Sequence, residues 1–261
     1  MKTRLFSYSV VAGIFTGYLF VAAAAAQPAP APSASGGGTL RAVLASTALP
    51  SVVDAPRYFK MVRVNIPAKQ ATTYNGAVGF VLALSGSLDV TSGSAHQLLE
   101  KGDAVLVARG TDTTLKAGDN QPAVYLHIAL PTAGELGQPM AGRPAAFTEL
   151  HTTASPIPGL KPGPHEFTVV RVTLPPRMPI NPPHRRSGAA MYYILSGTGM
   201  FTTGGKTEPK PADVAHYEPY DLVHQWANPG DAPLVIIQAN ISQEGVPAVI
   251  FVQDAGAGAP K

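Results

Sequence analysis

The stretches RYFKMVRVNIPA at residues 57–68 and HEFTVVRVTLPP at residues 165–176 decide the fold, because they repeat one pattern of aromatic, β-branched and proline residues. The matched residues lie 108 positions apart: Phe59 with Phe167, Val62 with Val170, Arg63 with Arg171, Val64 with Val172, and Pro67 with Pro175. This spacing exceeds that of solenoid repeats and fits a small domain. The sequence therefore predicts two homologous domains that arose by internal duplication.

The repeat continues beyond both stretches at offsets of 110 to 111 residues. The further matches are LSG at 84–86 with LSG at 195–197, Asp103 with Asp213, and QPAVYL at 121–126 with APLVII at 232–237. We assign residues 39–135 to an N-terminal domain and 161–261 to a C-terminal domain. Residues 136–160 form a connector rich in proline and glycine, with one helical turn expected at Pro144–Leu150.

Both units read as strands separated by turns. Short runs of Val, Ile, Tyr and Phe end at Pro or Ser-Gly, and turn residues recur every eight to twelve positions, which is typical of a sandwich or barrel. Amphipathic stretches long enough for a helix, without Gly or Pro, do not stand out. The pattern predicts an all-β protein.

The N-terminus predicts an export signal. Lys2 and Arg4 precede an apolar run, and Ala22–Ala26 supplies the small residues of a cleavage site. We expect residues 1–26 to be removed and 27–38, rich in Pro, Ala and Gly, to form a flexible linker. An uncleaved membrane anchor is the alternative. Cleavage would leave a periplasmic or secreted protein without a membrane segment.

Composition excludes several classes of function. The chain has no cysteine, which rules out disulfides, zinc-thiolate sites, iron–sulfur clusters, a cysteine nucleophile and a lipid-modified N-terminal cysteine. The formal net charge of +3 would fall to +1 once Lys2 and Arg4 are removed. Because no dense cluster of Lys and Arg occurs, nucleic acid is not an expected partner.

Two segments of the C-terminal unit, PPHRRSGAAMYYILSG at 182–197 and EPYDLVHQWAN at 218–228, resemble the two short motifs of the cupin family. His184 takes the place of the first motif histidine and Gly197 that of its closing glycine. The second motif places Pro219, His224 and Asn228 at the family's spacing. The resemblance implies a bicupin, with two tandem jelly-roll barrels.

The motifs depart from the family at the positions that bind metal. Arg186 stands where the family has its second histidine, Ala190 stands at the glutamate position, and Asp221 replaces a glycine. The N-terminal unit is more degenerate. Its residues Thr73, Asn75, Gly79 and Thr113 align with His184, Arg186, Ala190 and His224.

The resemblance implies a divalent metal such as iron or manganese inside the barrel, held by histidines and a carboxylate. His184 and His224 are the two family ligands that remain. A third ligand would have to be new, and His216, Glu218 or Asp221 could supply it. Each of these three residues is alternatively a surface or turn residue.

Arg186 admits two interpretations. Side chains alternate along a strand, so an inward His184 places Arg186 inside the barrel as well. An interior arginine needs an anionic partner, and its planar fork suits a carboxylate or phosphate. The alternative is a bulge at Ser187-Gly188 that turns Arg186 to solvent beside Arg185.

Three functions follow. The first is an exported bicupin that binds a small anionic molecule through His184, Arg186 and His224 in its C-terminal barrel. The second is a metal-dependent enzyme, such as a dioxygenase or isomerase, with His184 and His224 as ligands. The third is a structural bicupin without a site. Exposed sheet edges favour a homodimer in each case.

Overall fold

The computed structural model describes residues 33–35, 38–53 and 55–252. The expected signal peptide at 1–26 lies outside the described residues. Within the linker expected at 27–38, Ser33–Ser35 forms a short strand rather than coil. No helix among the described residues is long and apolar enough to cross a membrane.

The described chain is almost entirely β-structure, as predicted. The strands of the first half are β1 (Ser33–Ser35), β2 (Thr39–Leu49), β3 (Lys60–Ile66), β4 (Ala71–Tyr74), β5 (Gly79–Ser85), β6 (Leu88–Ser92), β7 (Ala95–Leu99), β8 (Ala104–Val107), β9 (Thr113–Ala117), β10 (Ala123–Ala129) and β11 (Ala146–Thr152). The strands of the second half are β12 (His165–Leu174), β13 (His184–Arg186), β14 (Ala189–Ser196), β15 (Thr198–Thr203), β16 (Lys206–Pro211), β17 (Ala215–Glu218), β18 (His224–Ala227), β19 (Leu234–Gln243) and β20 (Val249–Phe251). One 3-10 turn among the described residues, Ala133–Glu135, lies between β10 and β11.

The strands form four antiparallel sheets that make two barrels. The first barrel combines a sheet of order β11-β3-β10-β5-β8 with one of order β4-β9-β6-β7. The second combines the order β1-β2-β12-β19-β14-β17 with β16-β15-β18-β13-β20. This is the predicted all-β architecture of two jelly-roll units.

Two strands lie in different places from those expected. Strand β2 belongs to the segment assigned to the N-terminal domain, yet it pairs with β12 of the second barrel. Strand β11 falls in the connector and replaces the helical turn expected at Pro144–Leu150, since it pairs with β3 of the first barrel. The physical reason is the same for both, because each strand covers an otherwise unpaired sheet edge.

The sheet registers support the duplication. Met61 on β3 pairs with Ile128, and its repeat partner Val169 on β12 pairs with Ala239. The same equivalence corrects the alignment at one point. Tyr74 pairs with Thr113 just as His184 pairs with His224, so Tyr74 rather than Thr73 is the counterpart of His184.

Three hydrophobic clusters hold the molecule together. One lies between the two barrels and includes Phe59, Phe80, Phe167 and Tyr193. The second fills the N-terminal barrel, with Leu88, Leu99, Leu115 and Tyr125 fully buried. The third lines the C-terminal barrel and shares its interior with the buried polar residues His184, Arg186, Glu218, His224, Gln238 and Asn240. The C-terminal barrel is therefore the one whose interior carries chemistry.

Candidate functional site

The two motif histidines meet inside the C-terminal barrel. His184 and His224 are Cα partners on β13 and β18, and their ring centroids lie 4.3 Å apart. His184 Nδ1 lies 3.0 Å from the Pro182 carbonyl, and His224 Nδ1 lies 2.8 Å from the Leu222 carbonyl. A carbonyl only accepts, so each Nδ1 donates its proton to that carbonyl.

Burial lowers the pKa of His184 to about 4, with the neighbouring His224 and Arg186 acting in the same direction. The cost of placing a charge in a desolvated interior favours the neutral imidazole. At neutral pH His184 therefore presents an uncharged ring to the barrel interior.

Arg186 points into the barrel, two residues after His184 and on the same face of β13. It is 4% exposed, so the alternative in which a bulge turns it to solvent does not occur. Its Nε donates to Glu218 Oε2 over 2.9 Å, and its Nη2 donates to the Tyr192 hydroxyl. The Gln238 side-chain amide lies 2.8 Å from Nη1. Each of the three guanidinium nitrogens therefore contacts a side chain of the barrel.

Glu218 is the partner that makes an interior Arg186 tolerable. It is fully buried on β17, so the expectation of a solvated turn acid is wrong for this residue. Trp226 Nε1 donates to Oε1 over 2.9 Å. His224 Nε2 lies 3.0 Å from the same oxygen but without hydrogen-bond alignment, and it has no hydrogen-bond partner among the described residues.

The charge state of Glu218 follows from these contacts. Burial is the largest single influence and would raise its pKa, but the Arg186 charge and the contacts from His224 and Trp226 together outweigh burial and lower the pKa to about 2. The barrel interior therefore holds an ionised pair of Arg186 and Glu218 at neutral pH.

Glu218 replaces, from the neighbouring strand, the carboxylate that the cupin motif places at position 190. Ala190 on β14 and Glu218 on β17 are direct cross-strand partners. Side chains opposite each other on one face of an antiparallel pair reach the same space. The sequence carries two signals for this exchange. The small residue Ala190 takes the motif's glutamate position, and a glutamate, Glu218, follows His216 by two residues.

The remaining third-ligand candidates do not complete a metal site. His216 is half-buried on β17, with its ring 4.3 Å from that of Phe201. Asp221 lies at an exposed turn, pairs with Arg185, and has a φ of +64°, in the left-handed region where the family motif has glycine.

A divalent metal does not fit the side chains as they are arranged. No group of three His, Asp or Glu side chains in the described part of the chain could hold a metal ion. The buried carboxylate is already bound by Arg186, and a fixed guanidinium charge repels a cation. His184 and His224 alone would leave a metal with two protein ligands.

A cavity of about 620 Å³ lies against this cluster. Its polar end is formed by His184, Arg186, Gln238 and Arg41, whereas His224 lies behind them and does not line it. The apolar wall includes Val172, Leu174, Met178, Trp226, Ile236 and Phe251. Apolar walls with a few polar groups at one end are typical of small-molecule sites.

Arg41 is a site residue that sequence analysis missed. It lies on β2, which the sequence assigned to the other barrel, and β2 brings it into the cavity by pairing with β12. Its Nη2 lies 3.3 Å from the Gln238 side-chain amide. Among the described residues, no carboxylate forms an ion pair with Arg41.

Comparisons with known proteins agree with this architecture. Residues 170–239 match the family model described as Cupin domain, which confirms the predicted resemblance. No curated protein matches the chain in sequence.

Solved structures of oxalate decarboxylase share the fold. An oxalate decarboxylase formate complex from Lactobacillus farciminis is 12% identical, covers 85% of this chain and 86% of its own, and superposes with a TM-score of 0.54. Oxalate decarboxylase from Bacillus subtilis at pH 4.6 is 12% identical, covers 82% of this chain and 74% of its own, and superposes with a TM-score of 0.53. At these identities the likeness shows the fold alone.

Proposed function

We propose that this chain, whose second barrel carries a cupin domain, binds a small anionic organic molecule in the cavity of that barrel. The observation that carries the proposal is a surplus of positive charge at the polar end of an otherwise apolar cavity. Arg41 and Arg186 face it, and among the described residues Glu218 alone opposes them with an ion pair. An anion is the complement of that surplus in a desolvated site.

The cluster around Arg186 supports the proposal because it forms a fixed, preorganised polar surface at the cavity wall. Its hydrogen bonds to Glu218 and Tyr192 hold the guanidinium in one orientation at the cavity wall. Neutral His184 adds an imidazole on the same wall. His224, which the sequence grouped with these residues, acts in this proposal by contacting Glu218 rather than by touching the ligand.

Isothermal titration of the full chain with a panel of organic acids tests the proposal. We expect saturable binding of one anion per chain, which a cavity-filling Val249→Trp variant weakens at least tenfold. Val223→Trp is the matched control, because Val223 is exposed on the same barrel and does not line the cavity. Absence of binding by every anion, or equal loss in both variants, would contradict the proposal.

A metal-dependent enzyme of the dioxygenase or isomerase type, using iron or manganese, is the second candidate. The closely spaced rings of His184 and His224 favour it, as does the manganese centre named for the oxalate decarboxylase of Bacillus subtilis. The Arg186–Glu218 pair opposes it, since the carboxylate is already engaged. The third candidate, a structural bicupin without a site, leaves the charged cavity unexplained.

Elemental analysis and manganese titration separate the first two candidates. We expect wild type to hold far less than one metal per chain, and Arg186→His to bind Mn²⁺ at least tenfold more tightly because it restores a histidine and releases Glu218. Arg185→His is the control on the neighbouring exposed residue. About one tightly held iron or manganese per wild-type chain would contradict the first candidate and favour the metal-dependent enzyme.

Export and self-association belong to the proposal as well. The basic start and the apolar run within residues 1–26 support transport to the periplasm or the medium. N-terminal sequencing of the exported protein should find a start near Gln27, and an intact Met1 would contradict export. Light scattering of the purified chain distinguishes the expected homodimer from a monomer.

A further inference from the structure

The geometry points to Arg41 as the residue that pairs with the negative group of the ligand, and to an amphipathic monocarboxylate as the class of ligand. This inference rests on the proposed binding function and makes it specific. It assigns the charge that binds the ligand to Arg41 on β2, a strand of the N-terminal segment, rather than to Arg186, which occupies a position of the cupin motif.

Strand β2 fixes the position of Arg41. Its residue Arg41 pairs with Val172 on β12, and both side chains line the cavity. Side chains alternate along the strand, so Thr39 also lines the cavity while Leu40 points outward and is half-exposed. The guanidinium is therefore held over the cavity by a paired backbone and not by a loop.

Arg186 is already committed to side chains of the barrel. Glu218 neutralises its charge, and Tyr192 and Gln238 contact its two terminal nitrogens. A ligand that competed for Arg186 would leave Glu218 buried without its partner, which is strongly unfavourable. The anionic group of a ligand is therefore directed elsewhere.

Arg41 is the group with unused capacity. The Gln238 amide lies between the two arginines, 2.8 Å from Arg186 Nη1 and 3.3 Å from Arg41 Nη2. A single amide has one oxygen, and the shorter contacts place it toward Arg186, which turns the amide NH₂ toward Arg41. Arg41 then has no acceptor among the described residues.

The electrostatic cost at Arg41 agrees with this assignment. Burial, and secondarily repulsion by Arg186, lowers the pKa of Arg41 to about 10. The guanidinium remains charged at neutral pH, but it is desolvated and faces a like charge. A ligand carboxylate would relieve both effects through a bidentate, charge-assisted contact.

The shape and charge of the cavity define the rest of the ligand. One positive charge remains after Arg186 and Glu218 cancel, which matches one negative charge on the ligand. The walls beyond the polar end are mainly aliphatic and aromatic, with Leu174, Met178, Ile236 and Phe251, and carry the uncharged polar side chains of Thr39 and Asn181. A small dianion such as oxalate would leave these walls unfilled and place its second charge against them.

Calorimetric titration of the full chain with octanoate, its neutral isostere octanamide, and oxalate tests the inference. We expect wild type to bind octanoate at least tenfold more tightly than octanamide or oxalate. Arg41→Gln should lower octanoate affinity to the octanamide level while octanamide binding is unchanged. Arg177→Gln, which removes an exposed arginine from the same barrel, should change neither affinity.

The outcomes separate this inference from the proposed function. Equal octanoate binding by wild type and Arg41→Gln would overturn the role of Arg41 while leaving anion binding intact. Tighter oxalate than octanoate binding would overturn the ligand class. Loss of octanamide binding together with octanoate would assign Arg41 a structural role and overturn the inference. Failure of wild type to bind any organic anion would overturn the proposed function itself.

A second variant covers the case in which Arg41→Gln does not fold. Arg41→Lys keeps the charge but loses the fork, so octanoate affinity should fall partway and the preference over octanamide should persist. Circular dichroism should show that Arg41→Gln is at least as stable as wild type, because the variant removes a buried and uncompensated charge. Marked destabilisation of Arg41→Gln would contradict an uncompensated Arg41.

Discussion

The two barrels have matching strand registers, but the side chains that fill their interiors differ in polarity. Val107 of the first barrel and Glu218 of the second stand opposite Gly79 and Ala190, at the same point of the duplicated sheet. The N-terminal barrel fills this region with apolar side chains, whereas the C-terminal barrel builds an ionised cluster beside a cavity. A few substitutions on a duplicated scaffold therefore decide whether a barrel is a core or a site.

The position of His127 and Gln238 keeps a buried polar residue in both barrels. His127 of the first barrel is the counterpart of Gln238, since they pair with Val81 and Tyr192 at matched points of the repeat. His127 donates from Nδ1 to the Met140 carbonyl over 3.2 Å and packs edge-on against Tyr74. Its counterpart instead contacts two arginines. The same sheet position serves packing in one barrel and charge placement in the other.

The largest expected effect comes from breaking the charged cluster. Glu218→Gln leaves Arg186 buried without a counter-charge, which should lower the free energy of unfolding by about 3–5 kcal/mol. Urea unfolding followed by circular dichroism measures the change. A loss below about 1 kcal/mol would contradict the buried ion pair.

Converting the cluster to the apolar interior of the first barrel is the matched control. The double variant Arg186→Met, Glu218→Val removes both charges and places at 218 the residue type found at Val107. We expect it to be far more stable than Glu218→Gln alone, because replacing both members of a buried pair by apolar groups is often neutral or stabilising. Additive losses from the two single substitutions would show that the charges do not interact.

A smaller effect should appear as a loss of stability in acid. Burial lowers the pKa of His127 in the first barrel and of His184 in the second to about 4 each. The unfolded chain therefore takes up protons first, and stability should fall between about pH 6.5 and pH 4. One pKa unit corresponds to about 1.4 kcal/mol, so each histidine contributes on the order of 2–3 kcal/mol.

Single substitutions assign this acid sensitivity to each barrel. His127→Gln and His184→Gln should each reduce the pH dependence of the unfolding midpoint between pH 6.5 and pH 4, by similar amounts. His96→Gln is the control, since His96 is an exposed hairpin residue. A dependence that survives both core substitutions would assign acid sensitivity to other groups.

The smallest effect concerns the boundary between the barrels. Arg63 of the first barrel donates to Asp213 of the second over 2.8 Å. The pair is partly exposed, so Asp213→Asn should cost about 0.2–1 kcal/mol, and high salt should remove the difference. Arg171→Gln is the control, because equivalent backbone hydrogen bonds make Gly102, and not Asp103 as the sequence match had it, the counterpart of Asp213, and Gly102 offers Arg171 no carboxylate. A cost above about 2 kcal/mol would contradict this reading.

Much of the fold could be predicted from the sequence because repeated patterns report local structure. The match of Phe59 with Phe167 gave the duplication, and the runs ending at Pro or Ser-Gly gave the strands. The placement of β2 and β11 could not be predicted, since strand pairing between distant segments leaves no periodic signal. The sequence match was off by one residue at Tyr74 and at Gly102, because loop lengths differ between the two units.

For the same reason, only part of the candidate site could be predicted from the sequence. Motif spacing placed His184, Arg186 and His224 in one barrel, because they lie on strands that the motif itself defines. Glu218 looked like a turn acid, since its burial depends on its cross-strand partner Ala190. Arg41 had no signal at all, because its position depends on a strand pairing that crosses from one domain to the other.

The pairing of β2 with β12 also sets an order of events during synthesis. Every strand of the first barrel is synthesised before the first residue of β12, so β2 lacks its β12 partner until synthesis reaches the second barrel. Pairing then closes a loop that contains an entire folded domain, which gives the molecule a high contact order. A first barrel that has already folded holds the two ends of this loop near each other and reduces the entropy lost on closure. The folded first barrel thus promotes completion of the second barrel, which carries the candidate site, by reducing the entropic cost of pairing β2 with β12.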